Sequence, residues 1–531
     1  MGRKRIVGVS YFLSLLVLLF HLTSNEIYGQ RASFTAEDSL KSINFLRRQI
    51  YEVLRQFGED RSKYGIAIYS LDRKEYYYKH NIESYFIPAS LTKLFTTFGA
   101  LNKFGENFKI KTYLYYSGEI LNGILYGNLY IYGTGDPLLS ISDIDKFVEN
   151  VSRFGIKEIR GNVYADPSFF DSQTDRFVYS GDFDVVQNTQ PITSLSIERN
   201  IVTVIVTAGS IYGKPVSVQI IPASDGIRVY NTAKVSRSLG GNLKRIYELE
   251  PCYGGGELIA QLRTQPPKKP KSEAKALRVT SEIDKDGFQS IVVTGNLPAG
   301  TTKTYSFFIE KPPIVVAGTL KKRLEASGIS VKGTIGIEGV NTEKSRLVSV
   351  IEHSLIEVLR EMNKNSDNYI AETIFKMIGA YDRKMTSNSK EAVRYILTSL
   401  DSIKIPCLEC KIYDGSGLSR RNRLSPESII HLLTYAVTRK PNWNFDSLLS
   451  VSGFDGTLKS RMVGNFAEGR VFAKTGTHSN ASGLAGYTKT RDNERIVFAF
   501  MFNGEKVLQF KKIEDELCRI LTEFFYSHIT E

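Results

Sequence analysis

The chain has 531 residues, 42% of them hydrophobic and 24% charged, which excludes a disordered polymer. At roughly 100–200 residues per domain, this length implies roughly two to four domains. The formal charge of +13 and pI ≈ 9.2 suit approach to an anionic polymer; without an RNP-type or zinc-finger pattern, nucleic acid is not the expected partner.

Arg3, Lys4 and Arg5 precede an apolar run from Ile6 to Leu22, and Ile27-Tyr28-Gly29 offers a cleavage site before Gln30. Residues 1–29 therefore read as a secretory signal, with an uncleaved membrane anchor as the alternative, and the mature protein is expected to work outside the cytoplasm, in the periplasm. Ser39 to Phe57 has an apolar stripe at helical spacing. Tyr64 to Tyr69 and Glu75 to Tyr78 flank Asp72-Arg73 as a hairpin, and Pro88 leads into a helix starting near Ser90.

From about Lys111 to Glu343 the texture changes to short strands broken by glycines, such as Leu129 to Tyr132 and Ile201 to Val206, and reads as all-β. Pro266 to Lys271 is a basic proline-rich loop within it, with a wall-binding patch as the second reading. Helical periodicity returns over Ser354 to Lys376 and Glu427 to Val437. Three antiparallel strands follow around Val471–Ala473, Leu484–Tyr487 and Ile496–Phe502, then a closing helix from about Lys512 to Tyr526. The pattern is that of an α+β domain interrupted by a long excursion.

Four cysteines are too few for a disulfide scaffold. Cys407 and Cys410 form a CxxC with no second pair to complete a zinc site, so a local disulfide or plain thiols are expected. No His-Glu-x-x-His or comparable ligand set is present; neither metal nor cofactor is expected.

Ser90-Leu91-Thr92-Lys93 puts a hydroxyl and an amine one helical turn apart, on one face. A serine becomes nucleophilic when a neighbouring base takes its proton, and a lysine serves when burial or another cation destabilises its ammonium. Other Ser-x-x-Lys tetrads occur at Ser272 and Ser387, without the Pro88-Ala89 lead-in and apolar helix that set Ser90 apart. Ser366-Asp367-Asn368 sits between two predicted helices, where it offers a second hydroxyl and an amide, or simply an N-cap. Lys474-Thr475-Gly476-Thr477 ends the strand from Val471, with a cation for a carboxylate, two hydroxyls and a glycine that admits close approach. A Ser-His-Asp triad through His478 lacks its Gly-x-Ser-x-Gly elbow.

The three motifs, in this order, resemble the signatures of penicillin-recognising serine enzymes. The resemblance is strongest to their low-molecular-mass class C branch, the D-alanyl-D-alanine carboxypeptidase/endopeptidases of the S13 peptidase family. It extends to Gly133–Pro137, Asp166–Asp171, Asp414–Arg420 and Gly453–Leu458. It implies a penicillin-binding/β-lactamase-like transpeptidase domain, an antiparallel sheet with helices, made of residues 30–110 and 344–531. Mainly-β inserted domains would comprise 111–188 with 298–343, and 189–297. It further implies Ser90 as nucleophile, Lys93 as base, Ser366 as proton relay, and Lys474 as the group that keeps Lys93 neutral and holds the substrate carboxylate. Asn368 would grip the acyl-side amide. Thr475, Gly476 and Thr477 would line the substrate site, with the backbone N–H groups of Ser90 and Thr477 as oxyanion donors. Asp166 and Arg420 would read charged groups of the peptide stem. The implied substrate is peptidoglycan, as a stem peptide ending in D-Ala-D-Ala or as a cross-link, with β-lactams as inhibitors. A β-lactamase or esterase of the same fold, and a catalytically silent wall-binding protein, are the alternatives. His478, directly after Thr477, is a bulky ionisable group beside the implied acyl pocket.

Overall fold

A computed structural model describes residues 36–56, 60–182, 187–237, 276–381 and 388–526. The expected signal, the proline-rich stretch, Cys252 and the Ser272 tetrad lie outside these residues, as does Ser387.

The centre of the molecule is a six-stranded antiparallel sheet in the order Glu75–His80, Tyr64–Ser70, Arg495–Asn503, Ala481–Lys489, Val471–His478, Ser450–Val451. Alternate residues of a strand face opposite sides, and here both sides are covered. Val497, Ala499 and Met501 pack under the helices Thr92–Phe104, Leu355–Lys364, Asn368–Ala380, Asn388–Ser402 and Pro426–Arg439. Ile496, Phe498, Phe500 and Phe502 face the helices Ala36–Gln56 and Val507–Glu523. The predicted terminal helices, hairpin and three late strands are all present, the closing helix starting earlier than its apolar stripe suggests.

The excursion is not all-β. Its five-stranded sheet runs Ile335–Ile337, Val163–Asp166, Leu129–Gly133, Lys109–Tyr116, Arg346–Ser354, and the helices Ile141–Arg153 and Pro312–Ala326 pack on it. The physical reason is the parallel pairing of Leu129–Gly133 with Val163–Asp166. Parallel neighbours need a crossover, and the helix Ile141–Arg153 supplies it, started by a Ser140/Asp143 capping box. A four-stranded sheet (Ser330–Val331, Glu158–Ile159, Ile124–Tyr126, Glu119–Leu121), a two-stranded pair (Lys234–Ser236 with Asn296–Pro298) and two three-stranded sheets centred on Ile201–Thr207 and Gln289–Thr294 make up the rest of the described insertion. Arg346–Ser354 pairs with Lys109–Tyr116 along its length and runs directly into the helix Leu355–Lys364. This edge strand thus delivers the chain to the helix that ends just before Ser366.

Cys407 and Cys410 are joined in a disulfide, and Cys518 is a buried free thiol. Among the described residues no helix is long and apolar enough to cross a membrane, and no His/Cys/Asp/Glu group could hold a metal.

Phe500 is fully buried between the sheet and the helix Val507–Glu523. Phe500→Ala is expected to cost about 3–5 kcal/mol of stability, read as a lower urea midpoint with unchanged slope.

Candidate active site

The turn before Ser90 is shaped by its neighbours. Ala89 sits at φ 47°, and a short 3-10 turn, Ala89–Leu91, leads into the helix Thr92–Phe104. Ser90 thereby stands at a helix N-terminus, where backbone dipoles favour developing negative charge. The strand Val471–His478 passes so close that a Cβ on Gly476 would lie 2.6 Å from the Pro88 carbonyl oxygen. Only glycine permits that approach. Lys474, Thr475 and Gly476 lie within this strand, paired with Ala485, Leu484 and Gly483, rather than at its end.

Lys93 is fully buried, and its Nζ has three contacts: Ser90 Oγ at 2.9 Å, Asn368 Oδ1 at 2.7 Å and the Ser416 carbonyl at 2.7 Å. Two of these partners are carbonyl oxygens, which only accept. In the free amine both N–H bonds go to them, and the lone pair is left facing the Ser90 hydroxyl. Burial pushes the Lys93 pKa down to about 8, against the pull of the Glu372, Asp367 and Asp414 carboxylates. Lys474 is also fully buried, with Nζ 2.9 Å from both Ser366 Oγ and the Thr475 carbonyl. Burial, and then the charge of Lys93, hold its pKa well below the ordinary lysine range.

The segment Ser366-Asp367-Asn368 divides its labour. Asp367 is the N-cap of the helix Asn368–Ala380, accepting from the Ile370 N–H, so the capping reading holds for the middle residue. Ser366, at φ 55°, is turned to Lys474, and Asn368 is turned to Lys93. A non-glycine residue in the left-handed region carries backbone strain of about 1–3 kcal/mol. The Asn368 Nδ2 donates a long 3.3 Å bond to Gln187 Oε1.

The structure thus brings Ser90, Lys93, Ser366, Asn368 and Lys474 into one group. Thr475 Oγ1 donates to Thr457 Oγ1 at 2.9 Å, linking the strand to the Gly453–Leu458 segment. Arg420 Nη2 donates to Ser479 Oγ at 2.7 Å, one residue beyond His478. Burial pushes the His478 pKa down, and its Nε2 donates to the Gly417 carbonyl at 2.8 Å, which fixes a neutral Nε2–H tautomer. Asp166 does not join this group. It is 2% exposed, and its two oxygens accept the backbone N–H groups of Ser168 and Val340. In this structure Asp166 ties a loop of the insertion.

With this geometry in view, the sequence profile of the D-Ala-D-Ala carboxypeptidase 3 (S13) family matches residues 46–249 and 260–524. The chain belongs to that family. Its members are serine-type D-Ala-D-Ala carboxypeptidases, and the present chain is one of them. It is 27% identical over 503 residues to a D-alanyl-D-alanine carboxypeptidase of Actinomadura sp. (strain R39), covering 92% of this chain and 86% of that one. It is 24% identical over 477 residues to the D-alanyl-D-alanine carboxypeptidase DacB of Haemophilus influenzae, covering 89% and 91%. The crystal structure of penicillin binding protein 4 (dacB) from Haemophilus influenzae shares the fold at TM-score 0.66 and 22% identity, over 86% of this chain and 96% of that one.

Sequence reasoning missed the contributions of the turn 414–419 and of Glu372. Backbone carbonyls leave no trace in a motif. Glu372 did leave one, as a carboxylate among Ile370, Ala371, Ile374 and Phe375 on an otherwise apolar stretch of helix.

With Lys93 as the base that its motif implies, working as the free amine, acylation by a penicillin is expected to quicken roughly tenfold per pH unit below about pH 8 and to level off above it. Stopped-flow measurement of the second-order rate constant across this range checks the slope and the plateau.

Proposed function

We propose that Ser90 attacks the carbonyl of the penultimate D-alanine of a peptidoglycan stem peptide and forms an acyl-enzyme. Lys93 takes the hydroxyl proton. Ser366, hydrogen-bonded to Lys474, relays that same proton from Lys93 to the leaving amine, which restores the free Lys93 amine for deacylation, and Lys474 with Thr475 and Thr477 receives the terminal carboxylate. Two buried ammonium groups repel, so Lys93 and Lys474 do not both carry charge readily, and it is the Lys474 pKa that the charge of Lys93 depresses. Asn368 can exchange its long bond to Gln187 for the acyl-side amide carbonyl. The backbone N–H groups of Ser90 and Thr477 stabilise the tetrahedral oxyanion, a contribution of about 3 kcal/mol per donor. Water then releases the shortened stem. The observation that carries this reading is the Lys93 amine, whose two acceptor-only partners aim its lone pair at Ser90.

The same acyl-enzyme forms whether the leaving amine is free D-alanine or the side-chain amine of a cross-linked stem, so the reading includes endopeptidase activity. Arg420 at the rim suits an anionic group on the stem. β-Lactams acylate Ser90 as inhibitors, in keeping with a Haemophilus influenzae penicillin binding protein 4 structure complexed with a novel β-lactam. A basic chain with a secretory start suits work at the cell wall, outside the cytoplasm. Residues 111–188 with 298–343, and 189–297, form the inserted units in this reading.

Incubation with purified muropeptides, followed by mass spectrometry, is expected to show loss of terminal D-alanine, of cross-links, or of both. Products unchanged in mass would sink the proposal. Ser90→Ala is expected to lower turnover by about 10⁶, with Lys93→Ala nearly as severe and the double variant no worse than either. Fluorescent penicillin should label the wild type stably and Ser90→Ala not at all. Rapid turnover of the drug would indicate a β-lactamase instead.

A further inference from the structure

The turn 414–419 is held from both sides. Its carbonyls face the catalytic elements: Gly415 O accepts from Thr96 Oγ1 at 2.8 Å, Ser416 O from Lys93, and Gly417 O from His478. Its amides face two fully buried carboxylates. Glu372 Oε1 accepts the Ser416 N–H at 2.8 Å and Oε2 the Gly415 N–H at 3.3 Å; Asp414 accepts the Gly417 N–H at 2.9 Å and the Ser419 N–H at 2.7 Å. Gly417, at φ +84°, lies so close to the nucleophile's turn that a Cβ there would meet Ala89 O at 1.9 Å.

Resting on the reading of Lys93 as base, we propose that Glu372 and Asp414 are positioning residues for it. They orient the turn so that the Ser416 carbonyl takes one N–H of Lys93 and the amine's lone pair stays on Ser90. Neither carboxylate is hydrogen-bonded to Lys93; each acts through the peptide groups between them.

The charges around this arrangement come from five elements and from two flanking carboxylates. Asp182 accepts the Ser419 hydroxyl at 2.5 Å, and Asp171 pairs with Lys376 at 2.6 Å. The helix Thr92–Phe104 supplies Lys93, and the helix Asn368–Ala380 supplies Glu372 and Lys376, with Asp367 at its cap. The turn itself supplies Asp414, and the strand Val471–His478 supplies Lys474 and the neutral His478. The short helix Arg176–Ser180 supplies Tyr179, whose hydroxyl donates to Glu372 Oε2 at 2.8 Å, and Arg176, whose Nη1 lies 3.2 Å from Asp414 Oδ2. Burial and the neighbouring Asp414 charge push the Glu372 pKa up, against the donors on its oxygens and the Arg176 guanidinium; when ionised, Glu372 holds the Lys93 pKa higher than burial alone would set it.

Glu372→Gln removes the charge and leaves one oxygen for two amides; Glu372→Ala removes the clamp. Second-order acylation by a fluorescent penicillin, followed against pH on the full chain, separates the two effects. Glu372→Gln is expected to move the acidic limb to lower pH and to lower the plateau roughly tenfold. Glu372→Ala, checked for folding by circular dichroism, is expected to lower the rate about 10²-fold at every pH. A purely structural glutamate would leave the limb in place, so an unmoved limb in Glu372→Gln overturns the proposal even where Glu372→Ala does not fold. Wild-type acylation rates in folded Glu372→Ala overturn it as well. Labelling that survives Ser90→Ala would instead bring down the nucleophile assignment on which it rests.

Discussion

A lysine can serve as a base at ordinary pH only if its ammonium is made costly while its free amine is held in one orientation. Lys93 meets both conditions. Burial disfavours the charge, and two carbonyl oxygens, one from Asn368 and one from Ser416, occupy both N–H bonds of the neutral form. The remaining features of the site serve this orientation. The helix Asn368–Ala380 must begin where Asp367 caps it, and the turn 414–419 must lie against Ala89. Gly476 and Gly417 are glycines because a methyl group at either would push apart the backbones that make the pocket.

The network around Lys93 and Ser366 also extends beyond the three motifs into the insertion. Arg199 reaches Glu361 and Asp367, on either side of Ser366. Arg176 and Asp414 form a fully buried ion pair beneath the turn. Such a pair contributes little net stability by its mere presence, yet removing one partner leaves an uncompensated buried charge, which costs about 3–5 kcal/mol.

Much of this was legible in the sequence, for identifiable reasons. Ser90 and Lys93 share a helical face by spacing alone, and the apolar runs Val471–Ala473, Leu484–Tyr487 and Ile496–Phe502 mark the three late strands, though the strands extend beyond them. Asp367 followed its propensity as a cap, while the residues on either side of it, Ser366 and Asn368, turn to Lys474 and Lys93. The helices Ile141–Arg153 and Pro312–Ala326 were hidden by the glycine-punctuated strands around them, although Ile144, Phe147, Val148 and Val151 keep helical spacing. The loop-tying bonds of Asp166 left no mark in the sequence, because an aspartate that ties a loop and one that greets a substrate look alike as letters. Lys474 was placed at a strand end because glycine usually weakens a strand; here that glycine marks a close backbone approach.

The ion pair between Arg176 and Asp414 bears on how such a chain can change over generations. An insertion that merely decorated a core could be trimmed, swapped or lost with little penalty. Here one arm of it supplies the cation that the core's own aspartate depends on, so deletion would strand that acid in a dry interior. The two parts are bound to a common history: the excursion can diversify at its far strands, while the short stretch around residue 176 has to stay.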